Sequence, residues 1–199
     1  MREIISKARM KLDSLNTLLL ERESQLENLK QLQEIVDKSQ RICQSVAKKT
    51  QENLSIQLNG LINLALETCF PNQYEFRTNF IENRGKTELR FVLYDKRTKT
   101  ETDSIMDSFG GGLIDIVSLA LRLCLHTLEG SGKLIVLDEP FKFVSQDLRL
   151  RAASLIQELS HKLNLQFIII THIPEIAEVG DKIFEVKKTD GISNVSVVR

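Results

Sequence analysis

The sequence predicts an α/β domain that carries a long helix at its N-terminus. Short apolar runs at residues 134–137 and 167–170 have the length of strands, and apolar residues between them recur at helical spacing. A strand, a helix and a second strand in this order form a βαβ unit with parallel strands and a right-handed crossover. A heptad pattern in residues 1–57 is the third observation, and it predicts the long helix.

Length, charge and cysteine content set the first bounds on function. At roughly 100 to 200 residues per domain, the 199 residues allow one domain with an appendage. The 27 basic and 27 acidic residues balance, so no overall field draws the chain to nucleic acid or to a membrane. Cys43, Cys69 and Cys124 fit neither a metal pattern nor a disulfide framework. We therefore expect a soluble, cytoplasmic protein without a membrane partner, since no apolar run approaches membrane-spanning length.

The heptad pattern predicts a coiled-coil helix. Apolar residues occupy 11 of the 16 a and d positions. The a positions are Ile5, Leu12, Leu19, Leu26, Gln33, Gln40, Ala47 and Leu54, and the d positions are Ala8, Leu15, Arg22, Leu29, Val36, Cys43, Thr50 and Gln57. Such a helix gains most of its stability from packing, so it needs a partner helix. The alternative is an amphipathic helix that lies on its own globular domain.

Two strands and a turn are predicted after this helix. A more fully buried helical stretch at residues 61–66 stops at Pro71. Residues 74–81 and 88–94 then have the pattern of two strands, with a turn between them at 83–86. The most basic part of the sequence lies here, with Lys86, Arg90, Lys96, Arg97 and Lys99. These residues fit a solvated hairpin edge, and contact with DNA phosphates remains the alternative.

A glycine run precedes an apolar helical pattern. Ser108 is followed after one residue by Gly110, Gly111 and Gly112, and apolar residues recur from 113 to 128. The N-terminus of a helix favours an anion, and glycines let a phosphate approach the backbone closely. A flexible linker is the alternative interpretation of the run.

Polar residues follow each of the two central strands. Asp138 and Glu139 come after residues 134–137, which we expect to form a strand buried on both faces of a parallel sheet, and Thr171 and His172 come after the second strand. Ser145 is the predicted N-cap of the intervening helix. Carboxyl ends of parallel strands meet at one sheet edge. There, one carboxylate can hold a hydrated magnesium ion while the next polarises an attacking water.

The sequence contains no G-x-x-x-x-G-K-[ST] phosphate loop. Gly85, Lys86 and Thr87 resemble the end of one, but Phe80 stands where its first glycine is needed. Residues 130–133 lack both the upstream glycine and the hydroxyl that would bind magnesium. Both stretches are predicted to be turns.

The three motifs, in this order, resemble the C-terminal lobe of an ABC-type ATPase head of the SMC/SbcC/RecF branch. The glycine run resembles the signature loop, residues 134–139 resemble the Walker B strand, and Thr171 with His172 resembles the switch. The resemblance implies a coiled-coil helix at 1–57 and a head lobe at 58–199. The family's L-S-G-G-Q/E falls on residues 109–113, so Gly110 replaces the signature serine and Ser108 is its candidate substitute. Val144 and Ser145 replace the usual leucine-aspartate pair of the D-loop.

The resemblance also implies a composite ATP site between two heads. Glu139 would be the general base, Asp138 a partner of Mg²⁺ and His172 the sensor of the γ-phosphate. Ser108 with Gly110, Gly111 and Gly112 would contact the ATP held by the other head. The implied partners are an N-terminal lobe with the phosphate loop and a matching helix, a second head in an ATP-dependent dimer, and, as further candidates, DNA and a nuclease subunit. The implied role is DNA repair, recombination or chromosome maintenance at the nucleoid.

The missing phosphate loop leaves three explanations open. The chain is a fragment of a longer protein, a naturally split subunit, or a degenerate lobe. The competing class of function is a non-enzymatic coiled-coil scaffold with an ATPase-like head. Without the other lobe, we expect the chain to be inactive as an ATPase.

Overall fold

The computed structural model describes the backbone of residues 1–199 and every side chain except those of residues 3 and 8, so the predicted d position Ala8 lies outside the described side chains. Five helices and seven strands follow one another along the described chain. The helices are α1 Arg2–Cys69, α2 Ile105–Ser108, α3 Gly111–Glu129, α4 Gln146–Leu163 and α5 Pro174–Glu178. The strands are β1 Tyr74–Asn83, β2 Lys86–Asp95, β3 Thr100–Thr102, β4 Leu134–Asp138, β5 Gln166–Ile170, β6 Phe184–Thr189 and β7 Ile192–Val197.

The predicted long helix is confirmed. α1 continues without a break past residue 57 and ends at Cys69. The contacts divide the chain into two compact units, Met1–Glu52 and Asn53–Arg199. All described side chains in residues 1–50 are exposed, including seam leucines such as Leu12 and Leu29. Pairing of this seam with another helix, and the domain boundary after residue 57, stay predictions.

The last turns of α1 form part of the core of the second unit. Ile62 and Leu66 are fully buried there, together with Ile116 of α3 and Leu155 of α4. Burying each large apolar side chain stabilises the fold by about 1.5–3 kcal/mol. Cys69 lies in the same core, and burial raises the pKa of its thiol to about 12 against a smaller opposing effect of Arg151. Cys69 is therefore a neutral packing residue.

Asn63 joins α1 to the first strand. Its side-chain amide donates a hydrogen bond to the Phe76 carbonyl at 2.8 Å, and its side-chain oxygen accepts one from the Phe76 N–H at 2.7 Å. The amide thus pairs with β1 as a neighbouring peptide would, and the buried Phe76 side chain packs into the core.

The predicted hairpin is confirmed. β1 and β2 are antiparallel and closed by Arg84 and Gly85, both with positive φ, at 50° and 75°. Two positive φ angles define the type I′ turn, whose twist matches that of the paired strands. The short β3, which the sequence did not predict, pairs with β2 as the third strand.

The five basic residues around this hairpin do not form one patch. Lys86 begins β2, whereas Lys96, Arg97 and Lys99 follow its other end, roughly 33 Å away at about 3.3 Å per residue. The guanidinium of Arg90 lies 3.7 Å from the Asp103 carboxylate. A contiguous phosphate-binding surface is therefore absent from this group, which weakens the DNA interpretation.

The predicted βαβ unit is confirmed, but the prediction that its first strand is buried on both faces is wrong. β4 and β5 are parallel neighbours connected through α4. Ile135, Leu137, Phe167 and Ile169 pack against the core, whereas Leu134, Val136, Ile168 and Ile170 are exposed. The reason is that, within the described chain, these strands form a sheet of two with only one face covered.

The last two strands form a second hairpin that the sequence analysis missed. β6 and β7 are antiparallel around Asp190 and Gly191, which both have positive φ. The register between β6 and β7 places four exposed apolar side chains on one face, namely Phe184, Val186, Val195 and Val197. This hairpin therefore presents an uncovered apolar face, as the β4–β5 sheet does.

The expectation that no apolar run approaches membrane-spanning length is wrong for α3. α3 is long and apolar enough to cross a membrane by length and composition alone. Seven of its residues, Leu113 and Ile116 among them, are buried inside the domain. The composition of α3 is that of a core helix, so it does not indicate a membrane span.

Two leucines of α4 provide a test of this core. Leu155 is fully buried and Leu150 is 65% exposed. Leu155→Ala should lower the free energy of unfolding by about 2–5 kcal/mol because it leaves a cavity. Leu150→Ala should change it by less than about 0.5 kcal/mol. Urea denaturation of the full chain measures both, and equal losses would contradict the packing described.

Candidate functional site

Glu139 and His172 form the centre of the candidate site. In the parallel register Asp138 stands opposite Ile170, and the Glu139 N–H donates to the Ile170 carbonyl at 2.8 Å, extending the ladder beyond the strands. The segments that follow β4 and β5 therefore leave the sheet side by side, and His172 Nδ1 lies 2.8 Å from Glu139 Oε2. The histidine side chain is 71% exposed and the glutamate side chain 33%, but Glu139 Oε2 itself is buried.

The electrostatics of this pair favour an ionised glutamate. The neighbouring His172 side chain is the largest cause that holds the pKa of the Glu139 carboxyl below its ordinary value of 4.5. Partial desolvation opposes this shift, while the His172 backbone N–H and the Lys142 ammonium add to it. Glu139 is therefore a carboxylate at neutral pH, with one oxygen at ion-pair distance from His172.

Asp138 lies beside this pair at the end of β4, and its side chain is exposed. Carboxylate oxygens suit Mg²⁺, which usually binds one or two carboxylates and completes its shell with water and phosphate oxygens. Among the described residues, no three histidine, cysteine, aspartate or glutamate side chains are grouped to hold a metal.

The backbone after β4 is held in an unusual conformation. Glu139 and Phe141 have φ angles of 45° and 66°, in the left-handed region that non-glycine residues rarely adopt. Each such residue costs on the order of 1–3 kcal/mol, so the surroundings must hold it there. Phe141 and Val144 are buried and supply part of that restraint.

The glycine run has two different environments. Gly110 is the N-cap of α3, and a Cβ at this position would meet nothing within 4 Å. A Cβ on Gly111 would lie 3.0 Å from Cβ of Phe143, and one on Gly112 would lie 3.1 Å from the Phe143 carbonyl oxygen. Gly111 and Gly112 therefore let residues 143–144 pack closely against α3, a structural reason that the sequence did not reveal.

Ser108 ends α2 and is exposed. Phe109 follows it and stacks edge-on against Tyr74 with ring centroids 5.6 Å apart, which anchors the loop to the hairpin. In the described chain, no hydrogen bond or ion pair joins Ser108 or the three glycines to Asp138, Glu139 or His172. The structure thus joins Glu139 to His172 and leaves the glycine loop as a separate element.

Sequence reasoning missed Asp115. Its carboxylate accepts a hydrogen bond from the Phe143 N–H at 2.9 Å, which links α3 to the loop after β4. The available signal was a single acidic residue inside an otherwise apolar helical surface.

Comparisons with known proteins agree on the class of this fold. No protein-family model matches the chain. The DNA double-strand break repair Rad50 ATPase of Archaeoglobus fulgidus is 31% identical over 118 residues, which cover 58% of this chain and 13% of the relative. The chain therefore spans about an eighth of the length of that relative.

Solved structures give the same result for the fold. A structure from work on the ATP-driven dimerization and DNA-stimulated activation of SMC ATPases superposes with a TM-score of 0.60 at 22% identity, covering 78% of this chain and 89% of that one. The Smc head domain with a coiled coil and joint from Pyrococcus yayanosii superposes with a TM-score of 0.61 at 21% identity. This match covers 83% of this chain and 30% of that one.

These findings confirm the resemblance drawn from the sequence. The chain has the fold of the C-terminal part of an ABC-type ATPase head with a coiled coil. Within that class, its similarity is to heads of the SMC/Rad50 type.

The close Glu139–His172 pair predicts a specific titration behaviour. His172→Ala should raise the pKa of the Glu139 carboxyl toward 4.5 because the largest cause of its lowering is removed. The pair's contribution to stability should be present above pH 4.5 and be lost as the pH falls through the lowered folded pKa. Carboxyl chemical shifts followed by NMR against pH measure this. His161→Ala, an exposed histidine on α4, is the control, and an unmoved Glu139 pKa in His172→Ala would refute the pairing.

Substitution by alanine should affect the stability of the chain differently at Gly110 and at Gly112. Gly112→Ala should destabilise the chain by about 1–3 kcal/mol because its Cβ overpacks against the backbone of Phe143. Gly110→Ala should cost less than about 1 kcal/mol, since alanine is only a poorer N-cap there. Thermal or urea unfolding compares the two, and a larger loss for Gly110→Ala would contradict the environments described.

Proposed function

We propose that this chain supplies half of the ATP-binding and hydrolysing head of a coiled-coil ATPase that acts in DNA repair, recombination or chromosome maintenance. The observation that carries the proposal is the joining of Glu139 and His172, 2.8 Å apart at the ends of adjacent parallel strands. Phosphoryl transfer depends on such placement of water, charge and metal rather than on covalent chemistry by the protein. The repair role rests on the similarity to a DNA double-strand break repair Rad50 ATPase.

In this proposal Glu139 orients the attacking water and accepts its proton. A lowered pKa favours orientation of water over strong basicity, because an efficient base titrates near the working pH. His172 Nδ1 lies 2.8 Å from a Glu139 oxygen here and must turn away to reach a γ-phosphate. Its largely exposed side chain leaves that rotation open. The close approach of Glu139 and His172 is therefore a resting arrangement of the site.

Asp138 and the glycine loop complete the proposed set of residues. Asp138 would hold Mg²⁺, and the bound ion would offset negative charge on the phosphates. Gly110 lies at the N-terminus of α3, where the first N–H groups lack intrahelical acceptors and favour an anion. The open space at Gly110 admits a phosphate held by a second head, and Ser108 replaces the signature hydroxyl.

The uncovered surfaces support a partner lobe. The β4–β5 sheet and the β6–β7 hairpin each contain two strands with an exposed apolar face. Two-stranded sheets are marginally stable alone, so added strands and a covering layer would stabilise both. An N-terminal lobe that carries a phosphate loop and a helix matching α1 would supply these elements, and DNA and a nuclease subunit are further partners of the proposed assembly.

A second candidate is a non-enzymatic scaffold with an ATPase-like head. It is favoured by the glycine at position 110, where the family has serine, and by the packing role of Gly111 and Gly112. The two candidates differ in whether Glu139 matters for turnover.

ATP turnover by the assembled lobes tests the proposal. The chain alone should hydrolyse ATP negligibly, and addition of a lobe with a phosphate loop and a matching helix should restore turnover. Glu139→Gln should then abolish it, by a factor of about 100 or more, because the carboxylate no longer orients water. Phosphate release at saturating ATP and Mg²⁺ measures each rate.

Glu178→Gln is the matched control, because Glu178 is exposed at the end of α5. Robust turnover by the isolated chain would reject the half-site. Unchanged turnover of the assembled Glu139→Gln variant would reject Glu139 as the base and favour the scaffold.

A further inference from the structure

Asp115 links the two separate parts of the candidate site. It lies in the second turn of α3, is half-buried, and accepts the Phe143 N–H at 2.9 Å across 28 positions of sequence. The segment it holds, residues 139–144, begins at Glu139. One carboxylate therefore connects the helix that starts at the glycine run to the loop that starts at the proposed base.

The loop is restrained at both ends. At its start, the Glu139 N–H donates a hydrogen bond to the Ile170 carbonyl, and the Glu139 side chain lies at ion-pair distance from His172. At its end, Phe143 is bound by Asp115 and packs on Gly111, although its side chain is 67% exposed. Phe141, between these ends, and Val144, directly after Phe143, are buried.

The conformation of the loop makes the second restraint necessary. Glu139 and Phe141 both occupy the left-handed region, which non-glycine residues keep only where surrounding contacts hold them. A hydrogen bond to a charged acceptor is stronger than one between neutral groups, and it fixes the Phe143 N–H directionally. Because Gly111 and Gly112 have no Cβ, the loop lies close enough to α3 for this bond to form.

We propose that Asp115 is a positioning residue that couples the N-terminus of α3 to Glu139 through the Phe143 amide. It acts through the Phe143 backbone and not on the reacting atoms. An anion bound at the start of α3 shifts the helix, Asp115 carries Phe143 with it, and the loop then sets the direction of the Glu139 carboxylate. The coupling from α3 to the Glu139 carboxylate rests on the proposed function, whereas the restraint of the loop by Asp115 does not.

Amide hydrogen exchange on the full chain tests the restraint by itself. Asp115→Ala should accelerate exchange of the Phe143 amide by about tenfold or more, because its acceptor is lost. Asp115→Asn keeps an oxygen acceptor and should retain most of the protection. Core amides of α4 should exchange at the same rate in all three proteins. Unchanged exchange at Phe143 in Asp115→Ala would overturn the proposal.

Turnover by the assembled head tests the coupling. Asp115→Ala should lower kcat by about tenfold with little change in KM for ATP, and Asp115→Asn should restore most of it. Asp181→Ala, in an exposed segment, is the control. If Glu139→Gln abolishes turnover but Asp115→Ala does not lower kcat, the coupling is wrong and the proposed function stands. If Glu139→Gln leaves turnover unchanged, the proposed function fails, while the exchange result still decides the restraint.

Discussion

The paired hydrogen bonds between Asn63 and Phe76 fix the arrangement on which the rest of the second unit depends. They attach the first strand to the end of α1 at a point where Ile62 and Leu66 are already buried. An unpaired amide or carbonyl at such a partly buried position would be costly, so the contact is specific in both distance and direction. Through Tyr74 and Phe109, the same strand holds the loop that leads into α3.

Glu139 shows how one residue combines several local constraints. Its backbone extends the parallel ladder, its φ angle is strained, and its carboxylate lies 2.8 Å from His172. Strain of this kind persists where neighbouring structure over-determines it, and it concentrates at sites with a function. The glycine loop is different, because Gly110 faces open space and no partner within the described chain fills it. The two parts of the candidate site therefore differ in how closely the surrounding structure packs on them.

Local patterns in the sequence predicted the elements that depend on local chemistry. The βαβ unit, α3 and the first hairpin follow from periodicity, from Gly85 and from the apolar runs. Burial of β4 could not be predicted, because it depends on what covers the sheet and not on the strand's own residues. Similarly, the bond from Phe143 to Asp115 joins residues 28 positions apart, which no local pattern specifies. The glycines at 111 and 112 were assigned to anion binding alone, since their packing role requires the position of Phe143.

The apolar faces of the β4–β5 sheet and the β6–β7 hairpin have a practical consequence for handling the protein. Open strand edges next to exposed valine, isoleucine and phenylalanine side chains are templates for pairing between identical molecules. Self-association of purified chain would cover the same surfaces that the proposed lobe needs. Protein concentration and order of mixing therefore become experimental variables in their own right, and co-expression with the complementary lobe would bypass that competition.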